Sequence, residues 1–237
     1  MKWKMASWLY QYMPSQCLAC HAWPAQSLCK SCIKRFSAVV KRCKMCGLTL
    51  ADSTTIDSCG ACLQETPAVN ICCVGADYAY PWSLLIKQWK YASNPALARH
   101  MAAWLQQHPQ WPEIQDATQI CIPIPSSDPR ICDRGFDHTL LLAQALHCTN
   151  IRTDILIRTA HTNASQAKLG RAARIRAMQH AFTVSKAGTQ AVENQCVMLV
   201  DDVITTGATL RAATKALQSA GASRIFYVAL ARTPQVS

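Results

Sequence analysis

Acidic side chains are scarce in this sequence, long apolar runs are missing, and no G-x-x-x-x-G-K-[ST] phosphate loop occurs anywhere in it. Only 13 of the 237 residues are Asp or Glu, against 24 Lys and Arg, for a formal net charge of +11. No segment approaches the roughly 18 uncharged apolar residues that a helix needs to cross a bilayer, so no transmembrane segment is expected. The opening stretch, MKWKMASWLYQYMP, carries early charge but lacks a continuous apolar core and a small-residue cleavage site. That pattern does not make an export signal, and a cytoplasmic protein is expected. Within it Trp3, Trp8, Leu9, Tyr12 and Met13 form one face of a predicted short helix ending before Pro14. Packing on a core, or contact with a membrane surface, would use that face. Half of the residues are apolar, which at this length suffices for one good core plus a small module.

Cysteine is abundant and unevenly placed. Eight of the fourteen form four CxxC pairs in the first 62 residues: Cys17/Cys20, Cys29/Cys32, Cys43/Cys46 and Cys59/Cys62. A two-residue gap lets both thiolates of a knuckle reach one ion, and two knuckles complete a tetrahedral structural zinc site, so two Zn²⁺ are expected. Disulfides would need an oxidising compartment, and four successive CxxC pairs without a strand–helix context do not read as redox motifs. Sequential pairing leaves 8 and 12 residues between knuckles, whereas interleaved pairing leaves 22 and 26; the sequential arrangement is preferred. Each four-thiolate zinc site carries a net −2, so two of them lower the formal +11 to about +7. Lys30, Lys34, Arg35, Lys41, Arg42 and Lys44 crowd around the knuckles, against Asp52, Asp57 and Glu65 later in the segment. That surface suits nucleic acid, and it equally suits an ordinary solvated face with thiolate counter-charges. The other six cysteines (Cys72, Cys73, Cys121, Cys132, Cys148, Cys196) have no metal-like spacing and read mostly as small core hydrophobes.

Beyond residue 68 the composition changes, and the chain divides into a 1–68 module and a 69–237 domain. Strands are predicted over 71–80, 119–124, 154–158, 196–200 and 224–230. Helices are predicted over 82–91 (Leu85, Ile86 and Trp89 on one face), 96–107, 136–147 and 208–220, with a Pro- and Trp-bearing turn around 109–112. Strands alternating with helices imply an α/β fold with a parallel sheet covered on both faces, binding at the carboxyl ends of its strands.

The most informative stretch is Cys196–Leu210, CVMLVDDVITTGATL. A buried strand delivers Asp201 and Asp202 to its carboxyl end, and Thr205, Thr206, Gly207, Ala208 and Thr209 then open a helix. The first helical N–H groups lack intrahelical partners and the helix dipole favours an anion. Threonine hydroxyls add donors, and Gly207 lets a phosphate approach the backbone. Carboxylates accept hydrogen bonds from vicinal diols, so diol acceptors beside a phosphate nest make a ribose-5-phosphate site. A lone helix cap would need only one such residue. Two further segments would surround this loop. In 125–136, Ser126, Arg130 and Arg134 suit a pyrophosphate, though alone the segment also reads as a Pro/Ser/Asp turn. Residues 158–182 carry Lys168, Arg171, Arg174 and Arg176 and no acid, as a hood over a polyanion or a solvated basic helix would.

CVMLVDDVITTGATL resembles the phosphoribosyl-pyrophosphate (PRPP) fingerprint of type I phosphoribosyltransferases. Nearly the whole chain resembles the ComF family, associated with natural competence and DNA utilisation: the eight-cysteine double zinc ribbon, QWKY at 88–91, PIP at 123–125, RGF at 134–136, and Gln166 with Leu169 and Arg174. The resemblance implies a double zinc ribbon followed by a type I phosphoribosyltransferase-like domain that binds PRPP with Mg²⁺, with Asp201 and Asp202 as the residues of transfer chemistry. It also implies a link to single-stranded DNA and to uptake machinery at the inner membrane, where the protein would sit peripherally. Two readings stay open: a phosphoribosyltransferase with an unknown acceptor, and a non-catalytic single-stranded DNA adaptor. The chain departs from the family pattern at Asp137 and His138, where Asn-Gln usually follows RGF. It departs again at Ala173 and Ala177, where an acid and an Asn are common.

Overall fold

The computed structural model describes residues 16–23, 28–37, 40–53, 55–91, 94–126, 135–159 and 181–235. The expected N-terminal helix, Arg130 and Arg134, and the hood residues Lys168, Arg171, Arg174 and Arg176 lie outside them. The elements run α1 (Lys30–Phe36), α2 (Gly60–Gln64), β1 (Ile71–Asp77), α3 (Trp82–Tyr91), α4 (Leu97–Leu105), α5 (Trp111–Ala117), β2 (Ile120–Pro123), α6 (His138–Ala145), β3 (Leu156–Arg158), β4 (Phe182–Val184), α7 (Lys186–Val192), β5 (Cys196–Ile204), α8 (Ala208–Ser219) and β6 (Arg224–Arg232).

Four strands form an all-parallel sheet in the order β1-β6-β5-β2. Residues along each strand alternate between two apolar layers. Cys73, Met198, Val200, Phe226 and Val228 pack against α3, α4, α5 and α6 on one face. Cys72, Val197, Leu199, Tyr227 and Ala229 pack against α8 and the β3–β4 pair on the other. Leu85, Ile86 and Trp89 of α3 are buried, as the helical spacing predicts.

Three differences from expectation have local causes. The 109–112 segment continues into α5 because Pro112 sits in the first turn, where its missing N–H costs nothing. The strand ending at Arg158 pairs antiparallel with β4, outside the parallel sheet, a partnership that alternation of strands and helices in sequence does not reveal. The polar α7 carries no apolar stripe to betray it; Ser185 caps it by accepting from Gly188 N.

The cysteine-rich segment shares the core of the sheet. Cys17, Leu28 and Cys32 belong to the same apolar layer as Trp82 and Trp104. Trp82 and Trp104 stack at 3.7 Å between ring centroids. Their indole N–H groups reach back to Phe36 O (2.9 Å) and Ser37 Oγ (2.8 Å). A second anchor is Arg42, which donates to Asp77 Oδ1 at 2.7 Å and to Gly47 O at 3.1 Å. Gly47 adopts φ +70°, and a Cβ there would fall 2.2 Å from a Val74 methyl, so only glycine permits this approach.

Candidate functional site

β5 is central in the sheet and carries the acidic pair near its carboxyl end, two residues before Ile204. Adjacent residues of a strand point to opposite faces, so Asp201 and Asp202 enter different surroundings. Asp201, aligned with Ala229 of β6, turns toward the α8 face and accepts from Tyr227 Oη at 2.6 Å. Its Oδ1 also accepts from Asp202 N at 2.8 Å. Burial, aided by the neighbouring Asp202 charge, pushes its carboxyl up to about 6. Asp202 turns toward the other face, where α3 and α6 converge. Its Oδ2 accepts from Lys90 Nζ at 2.6 Å and makes a closer contact with His138 Nε2. Burial opposes ionisation of Asp202, but His138 and Lys90 outweigh it and hold the carboxyl below the usual range.

His138 owes its position to the start of α6, where Asp137 caps the helix by accepting from Thr139 N and Leu140 N. Thr139 Oγ1 ties this turn to Ile124 O at 2.8 Å, just past β2. Trp89 meets the His138 ring edge-on at 5.6 Å. When Nε2 donates to Asp202, Nδ1 of a neutral ring is an acceptor, and Ser126 Oγ lies 3.5 Å from it. Ser126 therefore joins the acidic pair through His138.

The loop after β5 turns sharply. Gly207 has φ +78° and occupies the N-cap of α8, a conformation that excludes other residues without strain. Thr205 and Thr206 are exposed, Ala208 and Thr209 half-buried. Arg232, at the end of β6, is buried under this loop and donates Nη1 to Ile204 O (3.1 Å), Thr233 O (3.2 Å) and Thr205 O. Arg211 Nη2 donates to Thr206 O at 3.2 Å. The first N–H of α8, that of Ala208, donates to Thr206 Oγ1 at 3.3 Å.

Sequence patterns do not mark Lys90, His138, Tyr227 or Arg232 as site residues. Lys90 lies within the QWKY segment and His138 at a departure from the family pattern, so both carry a visible signal without an assigned role. Tyr227 and Arg232 lie in an apolar strand, and only the β5–β6 register brings them to the site.

The cysteines form two groups of four. Cys17, Cys20, Cys29 and Cys32 offer sulfurs within 4.8 Å of one another, and so do Cys43, Cys46, Cys59 and Cys62. The sequential pairing is the one the fold makes. Cys29 and Cys59 sit at the N-caps of α1 and α2. A hydrogen bond with Cys46 draws Cys43 down to about 4. Burial, with the Cys43 charge, pushes Cys62 up to about 12. Four thiolates so close require a divalent cation to ionise together, and the donor set fits a structural metal such as zinc. Of the expected nucleic-acid residues, Lys30, Lys34 and Arg35 are exposed on α1, Lys41 pairs with Asp57 at 3.2 Å, and Arg42 is committed to Asp77. Of the remaining six cysteines, Cys72, Cys73, Cys121 and Cys196 are buried and Cys148 half-buried.

Residues 140–236 match the family described as phosphoribosyl transferase domain. The DNA utilization protein YhgH of Escherichia coli O157:H7 is 30% identical over 213 residues, spanning 87% of this chain and 90% of that protein. Competence protein F of Haemophilus influenzae is 29% identical over 217 residues, spanning 86% and 90%. Among solved structures, a glutamine PRPP amidotransferase from B. subtilis aligns at TM-score 0.37 and 17% identity, covering 60% of this chain and 30% of that one. No helix among the described residues is long and apolar enough to cross a membrane.

Proposed function

Because the chain belongs to the family of competence protein F and the DNA utilization protein YhgH, we propose that it supports the uptake or use of DNA, as in natural transformation, through a domain that binds PRPP with Mg²⁺. Residues 1–68 then form the zinc-bearing module and 69–237 the ligand-binding domain. The observation that carries the reading is the juxtaposition of Asp201 and Asp202 with the Thr205–Thr209 loop, whose Gly207 backbone opens a 12-residue helix.

In this reading the 5′-phosphate takes the N–H groups and hydroxyls of Thr205, Thr206, Gly207, Ala208 and Thr209. The ribose hydroxyls donate to the acidic pair, reaching Asp202 on the α3–α6 face, while Asp201 would have to turn from Tyr227 on the α8 face to share them. Asp202 is bracketed by Lys90 and His138, so the protein offers no open carboxylate cage for a metal, and Mg²⁺ belongs with the phosphate oxygens of the ligand. A diol arriving at Asp202 displaces one of its two partners. Lys90, once displaced, is placed to neutralise pyrophosphate, with Ser126, Arg130 and Arg134 supplying further donors. If transfer occurs, pyrophosphate leaves as positive charge builds on the ribose, and positioning and electrostatics carry the step without a covalent protein intermediate.

A thermal-shift titration with PRPP and Mg²⁺ tests this. Ligand at about 100 times its Kd stabilises the folded state by about 2.7 kcal/mol. The shift should vanish when Asp201→Asn and Asp202→Asn are combined, and no shift in the unaltered protein would sink the reading. Labelled PRPP with a panel of bases, monitored for pyrophosphate release, separates an enzyme from a binder.

A second reading rests on α1, a seven-residue helix begun by the metal-binding Cys29 that exposes Lys30, Lys34 and Arg35. In that reading the protein is an adaptor for incoming single-stranded DNA, peripheral to the inner membrane, and the ribbon contacts phosphates without sequence preference.

A further inference from the structure

Away from the acidic pair, a cavity of about 540 Å³ lies along the seam between α8 and the segment that joins the second cysteine group to β1. The size falls within the roughly 300–1,000 Å³ of small-molecule sites. Its apolar lining is made by Pro67 and Ala68 on one side and Ala212 on the other. Two cations, Arg211 and Lys215, stand one helical turn apart on α8 and line the same cavity. The opposite wall carries one acid, Glu65.

This division of labour is asymmetric in a way that selects a ligand. Two basic groups on one helix face suit a phosphate, which accepts from both. An apolar lining built from small side chains and a proline ring leaves room for a flat ring to lie against it. A carboxylate across from the cations suits an amine or hydroxyl donor at the far end of the same molecule. The cavity is too large for phosphate alone, and its single acid leaves the cationic side in excess.

We infer that the α8 seam is a binding site for a nucleoside monophosphate unit, with its phosphate on Arg211 and Lys215, its base on the Pro67–Ala68–Ala212 lining, and a donor group toward Glu65. The unit can be a free nucleotide or the end of a single strand. The site does not include the acidic pair, but it borders the phosphate loop of the proposed PRPP site, whose Thr206 and Ala208 also line the cavity. The two are linked through Arg211, whose guanidinium also holds Thr206 O at 3.2 Å. An anion that draws Arg211 loosens one end of the phosphate loop.

Titration calorimetry on the zinc-loaded full chain tests this with AMP, adenosine, inorganic phosphate, and a four-residue oligothymidylate with and without a 5′-phosphate. AMP should bind at least tenfold more tightly than either adenosine or phosphate. Lys215→Glu should weaken it at least tenfold, and so should Gln218→Trp, which fills the cavity from an exposed position. Asp201→Asn with Asp202→Asn removes any AMP held by the ribose-5-phosphate site, and the binding that remains should still depend on Lys215 and Gln218, which keeps the inference intact even if PRPP fails to bind. Tighter binding of the 5′-phosphorylated oligonucleotide than of AMP identifies a strand end as the occupant; the reverse identifies a free nucleotide. AMP binding that survives both α8 variants, that is lost with the acidic pair, or that is absent would overturn the assignment.

Discussion

Asp201 and Asp202 are neighbours in sequence with opposite electrostatic fates, and their variants should behave oppositely with pH. Asp201 ordinarily titrates near 3.8 and is held at about 6 in the fold by burial and by Asp202. A raised carboxyl contributes stability that is complete below the unfolded value and is lost as pH rises through the folded one. Asp201→Asn should therefore gain a few degrees in Tm over the unaltered protein between about pH 4 and pH 7. Parallel pH profiles of the two proteins in scanning calorimetry would refute this. Asp202 is lowered by His138 and Lys90, so its contribution is full above the unfolded value and declines only gradually as pH falls from there toward the folded one. Asp202→Asn should lose stability at neutral pH, by an amount that begins to shrink only as pH falls below about 4. Arg232 works through backbone carbonyls: Arg232→Met takes a donor from Thr205 O and Thr233 O, at roughly 1–3 kcal/mol for each one left buried, whereas Ile204 O keeps Thr233 N. Chemical denaturation should register that destabilisation, and PRPP protection should fall with it.

At the scale of elements, the cysteine groups are small units whose metal-binding energy is folding energy. Elemental analysis should find about two metal ions per chain. Cys43→Ser with Cys46→Ser should remove one ion and unfold the second group while leaving the first; an unchanged metal count would defeat the assignment. Much of this level was legible in sequence, since CxxC spacing, apolar periodicity and the DDVITT loop each report a local constraint. The 82–91 helix follows from such patterns directly, and so does the start of β5, which the pattern ends at residue 200 and the fold carries on to Ile204. What stayed hidden was set at a distance. Lys90 and His138 meet on Asp202 because α3 and α6 cover the same face of the sheet. Tyr227 reaches Asp201 only through β6 register. The seam along α8 arises where two segments abut, and neither shows it alone.

For the whole molecule the open question is where polyanions settle. If α1 and the Lys168–Arg176 stretch bind single strands, affinity should be indifferent to sequence and fall steeply with salt as counterions are released. Arg171→Ala, Arg174→Ala and Arg176→Ala together should flatten the log–log salt slope by about 0.7 for each phosphate that is no longer neutralised. Dependence on Lys30, Lys34, Arg35, Lys41 and Arg42 instead would place DNA on the ribbon, and salt-insensitive behaviour of both regions would remove direct DNA contact. The strand order has a consequence of another kind. β6 is the last strand along the chain, yet it lies between β1 and β5, and β1 is made about 150 residues earlier than its partner. Until residues 224–232 emerge, two apolar strands hold open edges, the state in which chains cross-pair and aggregate. Assembly is therefore a late insertion closed by long-range contacts, which is slow. A chain interrupted before residue 224 should emerge as chaperone substrate with folded, metal-loaded ribbons and no sheet.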